Sequence, residues 1–142
     1  HHGNGTVALF QKPPEILVCS SFQHPHYPDR LHDVVAPNIV NTPLSAGASG
    51  DDFRRAISSF WWQAVEAHQP DLILISAGFD AHRDDPLAHI NLDEGDFAWV
   101  TEEITALAEQ FSQGRIVSTL EGGYDLQALA DSTLAHLEVL AA

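Results

Sequence analysis

Short apolar runs alternate with longer amphipathic segments along most of the chain. The runs are rich in Val, Ile and Leu and are bounded by Pro, Gly or Asp, which is typical of strands covered on both faces of a parallel sheet. They predict strands over Ile16–Phe22, Ile39–Leu44, Leu72–Ala77 and Ile116–Leu120.

The amphipathic segments repeat their apolar positions at three and four residues, which is the spacing of one helix face. They predict helices over 53–65, 97–111 and 126–137. Ser49 offers a capping side chain before the first helix, Pro70 prevents its continuation, and Gly114 ends the second. The alternation predicts an α/β fold with three layers, in which helices flank a parallel sheet with right-handed crossovers.

One long irregular stretch, from Gln23 to Asn38, interrupts the alternation. Loops of this length in compact α/β domains are often functional. His24, His26 and His32 are numerous enough to indicate a metal site, but loop histidines without fixed spacing are more often surface groups. Both interpretations stay open.

Composition narrows the class of protein. The chain has 142 residues, 44% of them apolar, which suffices for one domain with a core. Six basic residues against 20 acidic ones give a net charge of -14, which disfavours nucleic acid as a partner and favours a cationic ligand. No apolar run approaches the roughly 18 residues of a membrane span, so we expect a soluble protein with no membrane partner.

The single cysteine, Cys19, lies in an apolar run. It indicates a buried thiol in a reducing compartment, which predicts a cytoplasmic protein without a disulfide framework. An oligomer of identical chains stays open beside a monomer.

Two loops lie where α/β sheets gather ligand-binding residues, beyond the carboxyl ends of the strands. Asp80 follows the run LILISAGF and Tyr124 follows RIVSTLEGG, so we expect a carboxylate and a phenol on one rim. Each has a plainer interpretation: Asp80 as the cap of a turn, and Tyr124 as an aromatic at a helix entry. Gly122 and Gly123 fit an ordinary tight turn.

Two other polar stretches are ambiguous by themselves. The acidic residues after Asp80 predict a solvated loop and a helix start whose dipole favours negative charge; they are Asp84, Asp85, Asp93, Glu94 and Asp96. The opening HHGNGT fits a tag remnant, a glycine-rich phosphate loop or part of a metal site.

Together, the motifs HHGNGT, SAGFDAHRDDPL and LEGGYDL resemble the histone deacetylase family in order and spacing. The likeness is to the bacterial members and the acetylpolyamine amidohydrolases, and it runs through nearly the whole chain, including NTPLSAG and PLAHINL. It implies the arginase-like α/β fold and a zinc-dependent amidohydrolase. The implied substrates are acetylated lysine or acetylated polyamines, which would be cleaved to acetate and a free amine.

The resemblance also implies roles for individual residues. His1 matches a zinc-binding histidine of the family, and Asp80 matches a zinc-binding aspartate. Tyr124 matches the tyrosine whose hydroxyl faces the carbonyl under attack. Gly122 and Gly123 match the glycines that let this tyrosine approach the substrate.

Structural potassium is a second cofactor that the resemblance implies. One set of potassium ligands would consist of the carbonyls of His1 and Ser21 with the side chain of Ser20. A second set would consist of the carbonyls of Phe10, Pro13 and Ile16.

Part of the family's site is absent from the sequence. No aspartate stands two positions before His1 and no His-His base pair precedes it, while His2 matches neither a ligand nor that base. We therefore expect residues 1–142 to be the C-terminal portion of a deacetylase domain, inactive alone, with a sheet edge and helix faces exposed. The alternative is a noncatalytic α/β module in which Asp80 and Tyr124 are structural and the acidic face binds a basic protein.

Overall fold

The computed structural model describes residues 1–142. Its elements, in chain order, are α1 (Asn4–Phe10), β1 (Val18–Gln23), β2 (Ile39–Leu44), α2 (Gly50–His68), β3 (Ile73–Ala77), α3 (Glu94–Phe111), β4 (Ile116–Leu120) and α4 (Leu126–Leu140). β1 pairs with β2 and β3 pairs with β4, both in parallel. The predicted α/β architecture of parallel strands with flanking helices is confirmed.

Most predicted boundaries agree with the structure. β2 and β4 have the predicted bounds, whereas β1 begins at Val18 rather than Ile16 and β3 begins at Ile73 rather than Leu72. The three predicted helices are all present, and each is longer than its apolar face indicated.

The short helix α1 was not predicted. Its sequence NGTVALF opens with Asn and Gly, which are weak helix formers. Val7 on this helix is fully buried and forms a small cluster with Val18 of β1 and Ile39 of β2. Tertiary packing therefore holds a segment that local propensity does not favour.

Helix α2 begins and ends through identifiable contacts. The Ser49 side chain accepts a hydrogen bond from the Asp52 backbone N–H, and the Asp52 carboxylate accepts one from the Ser49 N–H, which is a capping box. Gln69, at φ +51°, ends the helix in the left-handed conformation just before Pro70. The predicted start and stop signals are confirmed.

The main core lies between α2, α3 and the segments that follow β2 and β3. Its nine buried apolar residues are Leu44, Ala48, Phe53, Ile57, Ala77, Phe79, Ile90, Leu92 and Phe97. Four of them belong to the stretch from Ala77 to Leu92, so the loop after β3 contributes side chains to the core and is not only a surface loop. A rigid loop can hold polar side chains at fixed positions.

The prediction that all strands are covered on both faces is wrong for β3 and β4. Leu74 on β3 and Val117 and Leu120 on β4 are 71%, 55% and 57% exposed. An apolar run shows that a strand can be buried on both faces, but it does not show which segment covers each face. No helix of this chain is long and apolar enough to cross a membrane.

Cys19 lies on β1 as a free, partly buried thiol. Burial raises the pKa of this thiol to about 12. Because the thiolate is the reactive form, Cys19 is a structural residue rather than a nucleophile.

Candidate active site

Two strand ends bring the predicted site residues together. β3 and β4 are parallel, and their pairing continues past the strands through hydrogen bonds from Glu121 N to Ala77 O (2.9 Å) and from Phe79 N to Gly122 O (2.7 Å). The loops after both strands therefore leave the same edge of the sheet side by side. The expected shared rim for a carboxylate and a phenol is present.

Asp80 is a buried carboxylate with a single polar partner residue. It is 3% exposed, and its Oδ2 contacts Nδ1 of His1 and accepts a hydrogen bond from the amino-terminal nitrogen of His1 at 2.7 Å. No backbone N–H from its own loop donates to this carboxylate. A buried carboxylate with so few donors is well suited to receive a cation.

The glycines beside Asp80 provide the space for its side chain. A Cβ at Gly122 would lie 3.0 Å from Asp80 Cγ, and a Cβ at Gly78 would lie 3.1 Å from Asp80 Oδ1. Gly123, at φ +140°, has a conformation that favours glycine, and a Cβ there would lie 2.9 Å from Leu129 Cδ1. The EGGY segment therefore needs both glycines to pass this close to β3.

His1 and Tyr124 face each other across an open cavity. Their ring centroids are 6.1 Å apart in an edge-on arrangement, and Tyr124 is about half exposed. His26 stacks on His1 at 5.5 Å, and Tyr27 lies edge-on to it at 5.8 Å. The cavity measures about 580 Å³ and is lined by His1, His2, Asn4, His26, Tyr27, Pro28, Leu87 and Tyr124.

Asp85 is a site residue that the sequence interpretation missed. It is 8% exposed; its Oδ1 accepts hydrogen bonds from the backbone N–H groups of Leu87 and Ala88, and its Oδ2 accepts one from Tyr124 N at 2.9 Å. It thereby ties the loop after β3 to the loop that carries Tyr124. The signal was the pair Asp85-Pro86, since an aspartate that accepts from N–H groups two and three residues ahead forms an Asx turn.

The prediction of a solvated acidic loop is thus wrong for Asp85, whereas Asp96 belongs to the predicted acidic helix start. Asp96 is 5% exposed and accepts a hydrogen bond from Arg54 Nε at 2.8 Å. Its carboxylate also accepts from the backbone N–H of Asp93, the residue that caps α3. The predicted acidic helix start is confirmed, but its carboxylates are bonded within the fold.

His2 points away from Asp80 and toward β1. Its Nδ1 lies 3.2 Å from the hydroxyl oxygen of Ser20, and its ring packs on Phe22 with 3.9 Å between centroids. Burial lowers the pKa of His2, so this imidazole is biased toward its neutral form. Ser20 and Ser21 both lie on β1, and their role as potassium ligands stays a prediction.

The second predicted potassium set does not fit an ion. The carbonyls of Phe10, Pro13 and Ile16 do converge, but all of them face the side-chain nitrogen of Asn38, at 2.7, 3.0 and 2.8 Å. The amide nitrogen fills the space that an ion would need. While this amide lies among them, the three carbonyls do not fit potassium.

The loop histidines divide into two groups. His26 lies in the cavity beside His1, whereas His24 and His32 stack on each other at 4.0 Å beside Asp29. Asp29 Oδ1 is 3.5 Å from His24 Nδ1 and 3.7 Å from His32 Nδ1, which is too long for hydrogen bonds. The two Nδ1 atoms and the Asp29 oxygen nevertheless lie within 4.8 Å of one another, so a metal site at His24, Asp29 and His32 stays a prediction.

The site and fold have counterparts in known proteins. The family profile of the histone deacetylase domain matches residues 1–140. The chain belongs to the histone deacetylase family. The family resemblance of its three motifs is therefore confirmed.

Two relatives match nearly all of this chain but only part of their own length. An uncharacterised protein of Synechocystis sp. is 39% identical, with 99% of this chain and 45% of the relative covered. The chloroplastic histone deacetylase 10 of Oryza sativa subsp. japonica is 38% identical, with 93% and 31% covered. The chain thus spans less than half the length of these relatives.

Solved structures of histone deacetylases share the fold. The HD domain of HDA15 superposes with a TM-score of 0.90 at 32% identity, over 99% of this chain and 41% of that structure. The histone deacetylase Clr3 superposes with a TM-score of 0.89 at 28% identity, over 99% and 25%. The parallel strands and flanking helices are therefore those of a histone deacetylase domain.

Proposed function

We propose that this chain contributes to a zinc-dependent amidohydrolase that removes acetyl groups from acetylated lysine or acetylated polyamines. The observation that carries the proposal is the buried Asp80 carboxylate, whose single partner residue, His1, lies edge-on to Tyr124. Asp80 and Tyr124 follow the carboxyl ends of parallel strands, where α/β folds bind their ligands, and the His1 imidazole contacts Asp80 and lies edge-on to Tyr124.

His1 and Asp80 are the proposed zinc ligands. An imidazole nitrogen and a carboxylate oxygen are both ordinary zinc ligands, and here the His1 imidazole already contacts the buried Asp80 carboxylate. Zinc supplies a Lewis acid for the amide carbonyl and lowers the pKa of a water that attacks it. A further carboxylate ligand is proposed to lie outside these 142 residues.

Tyr124 is the proposed hydrogen-bond donor to the substrate. An amide carbonyl oxygen gains negative charge as water attacks the carbon, and a phenol aimed at that oxygen stabilises the charge. Asp85 holds the backbone of Tyr124 through its N–H, which fixes where the hydroxyl can reach. Attack by water, proton transfer to the leaving nitrogen and cleavage of the C–N bond then give acetate and the free amine.

The cavity walls fit an acylated amine with an apolar stem. The rings of His26 and Tyr27 flank His1, and Leu87 lines the cavity near Tyr124. Flat rings and an aliphatic side chain pack well against methylene groups. The net charge of -14 favours approach of substrates that carry positive charge elsewhere, as polyamines and lysine-rich proteins do.

Residues 1–142 are proposed to be the C-terminal portion of a deacetylase domain. Leu74 and Val117 pair in register and are exposed on one face of the β3–β4 pair, where a further layer of the domain would cover them, and Leu120 is exposed at the end of β4. No carboxylate lines the cavity beside His1, and Asp80 is the only carboxylate that contacts the His1 imidazole. The isolated 142 residues are therefore expected to turn over little or no substrate.

Metal removal tests the proposed activity. In the full-length protein that carries these residues, acetate release from an acetyl-lysine peptide and from an acetylated polyamine should disappear after chelation and return when zinc is added. Magnesium added at the same concentration serves as the control, because it prefers all-oxygen ligands. Undiminished turnover in the chelated, zinc-free protein contradicts the proposal.

The noncatalytic alternative predicts a different outcome. A module that only binds a basic partner would release no acetate with any metal, and it would still bind a lysine-rich protein in low salt. Acetate release that depends on zinc excludes that alternative.

A further inference from the structure

Asn38 lies at the centre of three backbone carbonyls. Its Nδ2 lies 2.7 Å from Phe10 O at the end of α1, 3.0 Å from Pro13 O and 2.8 Å from Ile16 O in the segment before β1. Asn38 is 5% exposed and directly precedes β2. One side chain therefore joins the end of a helix to the starts of two strands.

The donor and acceptor inventory fixes which atom of the amide faces the carbonyls. Carbonyl oxygens only accept hydrogen bonds, so the NH₂ group must point at them and the amide oxygen must point away. An NH₂ group carries two protons, yet three oxygens lie within hydrogen-bond distance of this nitrogen. Convergence of more oxygens than protons is the arrangement of a cation site rather than of an ordinary asparagine contact.

We infer that the Asn38 amide is a built-in replacement for a bound alkali cation at this position. The partly positive NH₂ group neutralises the converging carbonyl dipoles, so the fold is held here without an ion. The inference rests on the geometry of Asn38 alone and does not depend on the proposed deacetylase activity.

Exchanging the amide for a carboxylate tests the inference. Asn38→Asp keeps the shape of the side chain but adds an oxygen where the NH₂ group was, so that a carboxylate faces the carbonyls of Phe10, Pro13 and Ile16. We expect the Tm to fall by roughly 10 °C in choline chloride, because buried acceptors lose their donor and face a negative charge. In potassium chloride of equal ionic strength, at least about half of the lost Tm should be recovered, since the new carboxylate and the three carbonyls all offer oxygen ligands.

Matched comparisons separate a bound ion from a general effect of salt. Choline chloride screens charge as well as potassium chloride does but cannot enter the site. The control variant is Asn91→Asp, because Asn91 is exposed and donates its amide to a single carbonyl, that of Gly47, at 3.2 Å. Replacing choline by potassium should raise the Tm of wild type and of Asn91→Asp by the same small amount, and it should raise the Tm of Asn38→Asp by more. An Asn38→Asp response equal to that of wild type overturns the inference.

Rubidium diffraction provides a test that does not depend on the stability of a variant. Crystals of the wild-type chain in rubidium chloride should show no anomalous peak among the carbonyls of Phe10, Pro13 and Ile16. If Asn38→Asp does not fold, Asn38→Ala takes its place, because the smaller side chain also vacates the position; its crystals should show the peak. A rubidium peak at these carbonyls in the wild type overturns the inference, as does its absence from the variant.

Discussion

Asp80 and His136 are both buried titratable side chains, and Phe79 connects them. Phe79 precedes Asp80 in the chain, and its ring packs against the imidazole of His136 with 5.9 Å between centroids. His136 has a partner at each nitrogen, with Thr101 Oγ1 2.8 Å from Nδ1 and Ser118 Oγ 2.8 Å from Nε2. Asp80 has one partner residue.

The number of hydrogen-bond partners indicates which residue contributes to stability and which to chemistry. A buried polar network in which every member has a partner joins α3, β4 and α4 and favours the folded state. A buried carboxylate with one partner residue costs stability, and it keeps oxygen lone pairs available for a cation. We therefore expect substitutions around Asp80 to change activity and substitutions around His136 to change stability.

The largest effect is expected from Asp80→Asn. An amide is a poor zinc ligand, so acetate release by the full-length protein should fall by about a thousandfold or more. The Tm of the metal-free protein should not fall, because the variant removes a buried charge with few donors. Zinc content, steady-state rates and thermal melting measure these outcomes.

The matched control for this variant is Asp84→Asn. Asp84 is four residues further along, its side chain is 69% exposed, and it should keep wild-type zinc content and turnover. Full zinc content and turnover in Asp80→Asn would remove Asp80 from the proposed site.

Tyr124→Phe is expected to have the next largest effect. Loss of one hydrogen-bond donor to a developing oxyanion lowers kcat by about a hundredfold to a thousandfold. Zinc content and Tm should stay near wild type, because the ring is half exposed and its packing on His1 is kept. Tyr27→Phe is the control, since Tyr27 also borders His1; equal losses of kcat in both variants would contradict a specific role for Tyr124.

Local sequence signals predicted the elements well where each element is determined by its own residues. β2 and β4 have the bounds that their apolar runs indicated, and the capping residues set the start of α2. Helix α1 escaped prediction because Val7 is held by strands that lie later in the chain. The exposure of one face of the β3–β4 pair was also not predicted, since an apolar pattern does not show which segment covers a strand.

The candidate site was predictable only in part. The positions of Asp80 and Tyr124 after parallel strands implied their proximity, and the structure places them on one rim. Pro86 was the only local signal that separates Asp85 from Asp84, and it did not predict that Asp85 is buried and bonded to the Tyr124 loop. Asn38 carried no motif at all, since its role depends on carbonyls that any residue could supply.

Asp85→Asn is expected to have a smaller effect on activity than Tyr124→Phe. The variant keeps one acceptor oxygen but presents an NH₂ group to one set of backbone N–H groups, so the Tyr124 loop shifts and kcat falls by about tenfold to a hundredfold. Asp85 is a positioning residue, so its effect should nearly vanish in the Tyr124→Phe background. Additive losses in the double variant would show that Asp85 acts independently of Tyr124.

The smallest effect is expected from His136→Gln, and it falls on stability. Thr101 donates its hydroxyl proton to Phe97 O at 2.6 Å, so it accepts from His136 Nδ1–H, and Ser118 donates to Nε2. A glutamine restores this network imperfectly, which should cost about 1 kcal/mol of unfolding free energy, while kcat stays unchanged.

The pH dependence of stability identifies the group responsible. Burial lowers the pKa of His136 below its ordinary value of 6.5, so the unfolded chain binds a proton there more readily than the folded chain. The contribution of His136 to stability is therefore present above about pH 6.5 and is lost as the pH falls below it, with a slope of at most about 1.4 kcal/mol per pH unit. In urea melts, His136→Gln should flatten this slope. Ser118→Ala retains the imidazole, so it should lower the stability but leave the slope with pH unchanged. An unchanged slope in His136→Gln would mean that other groups cause the acid sensitivity.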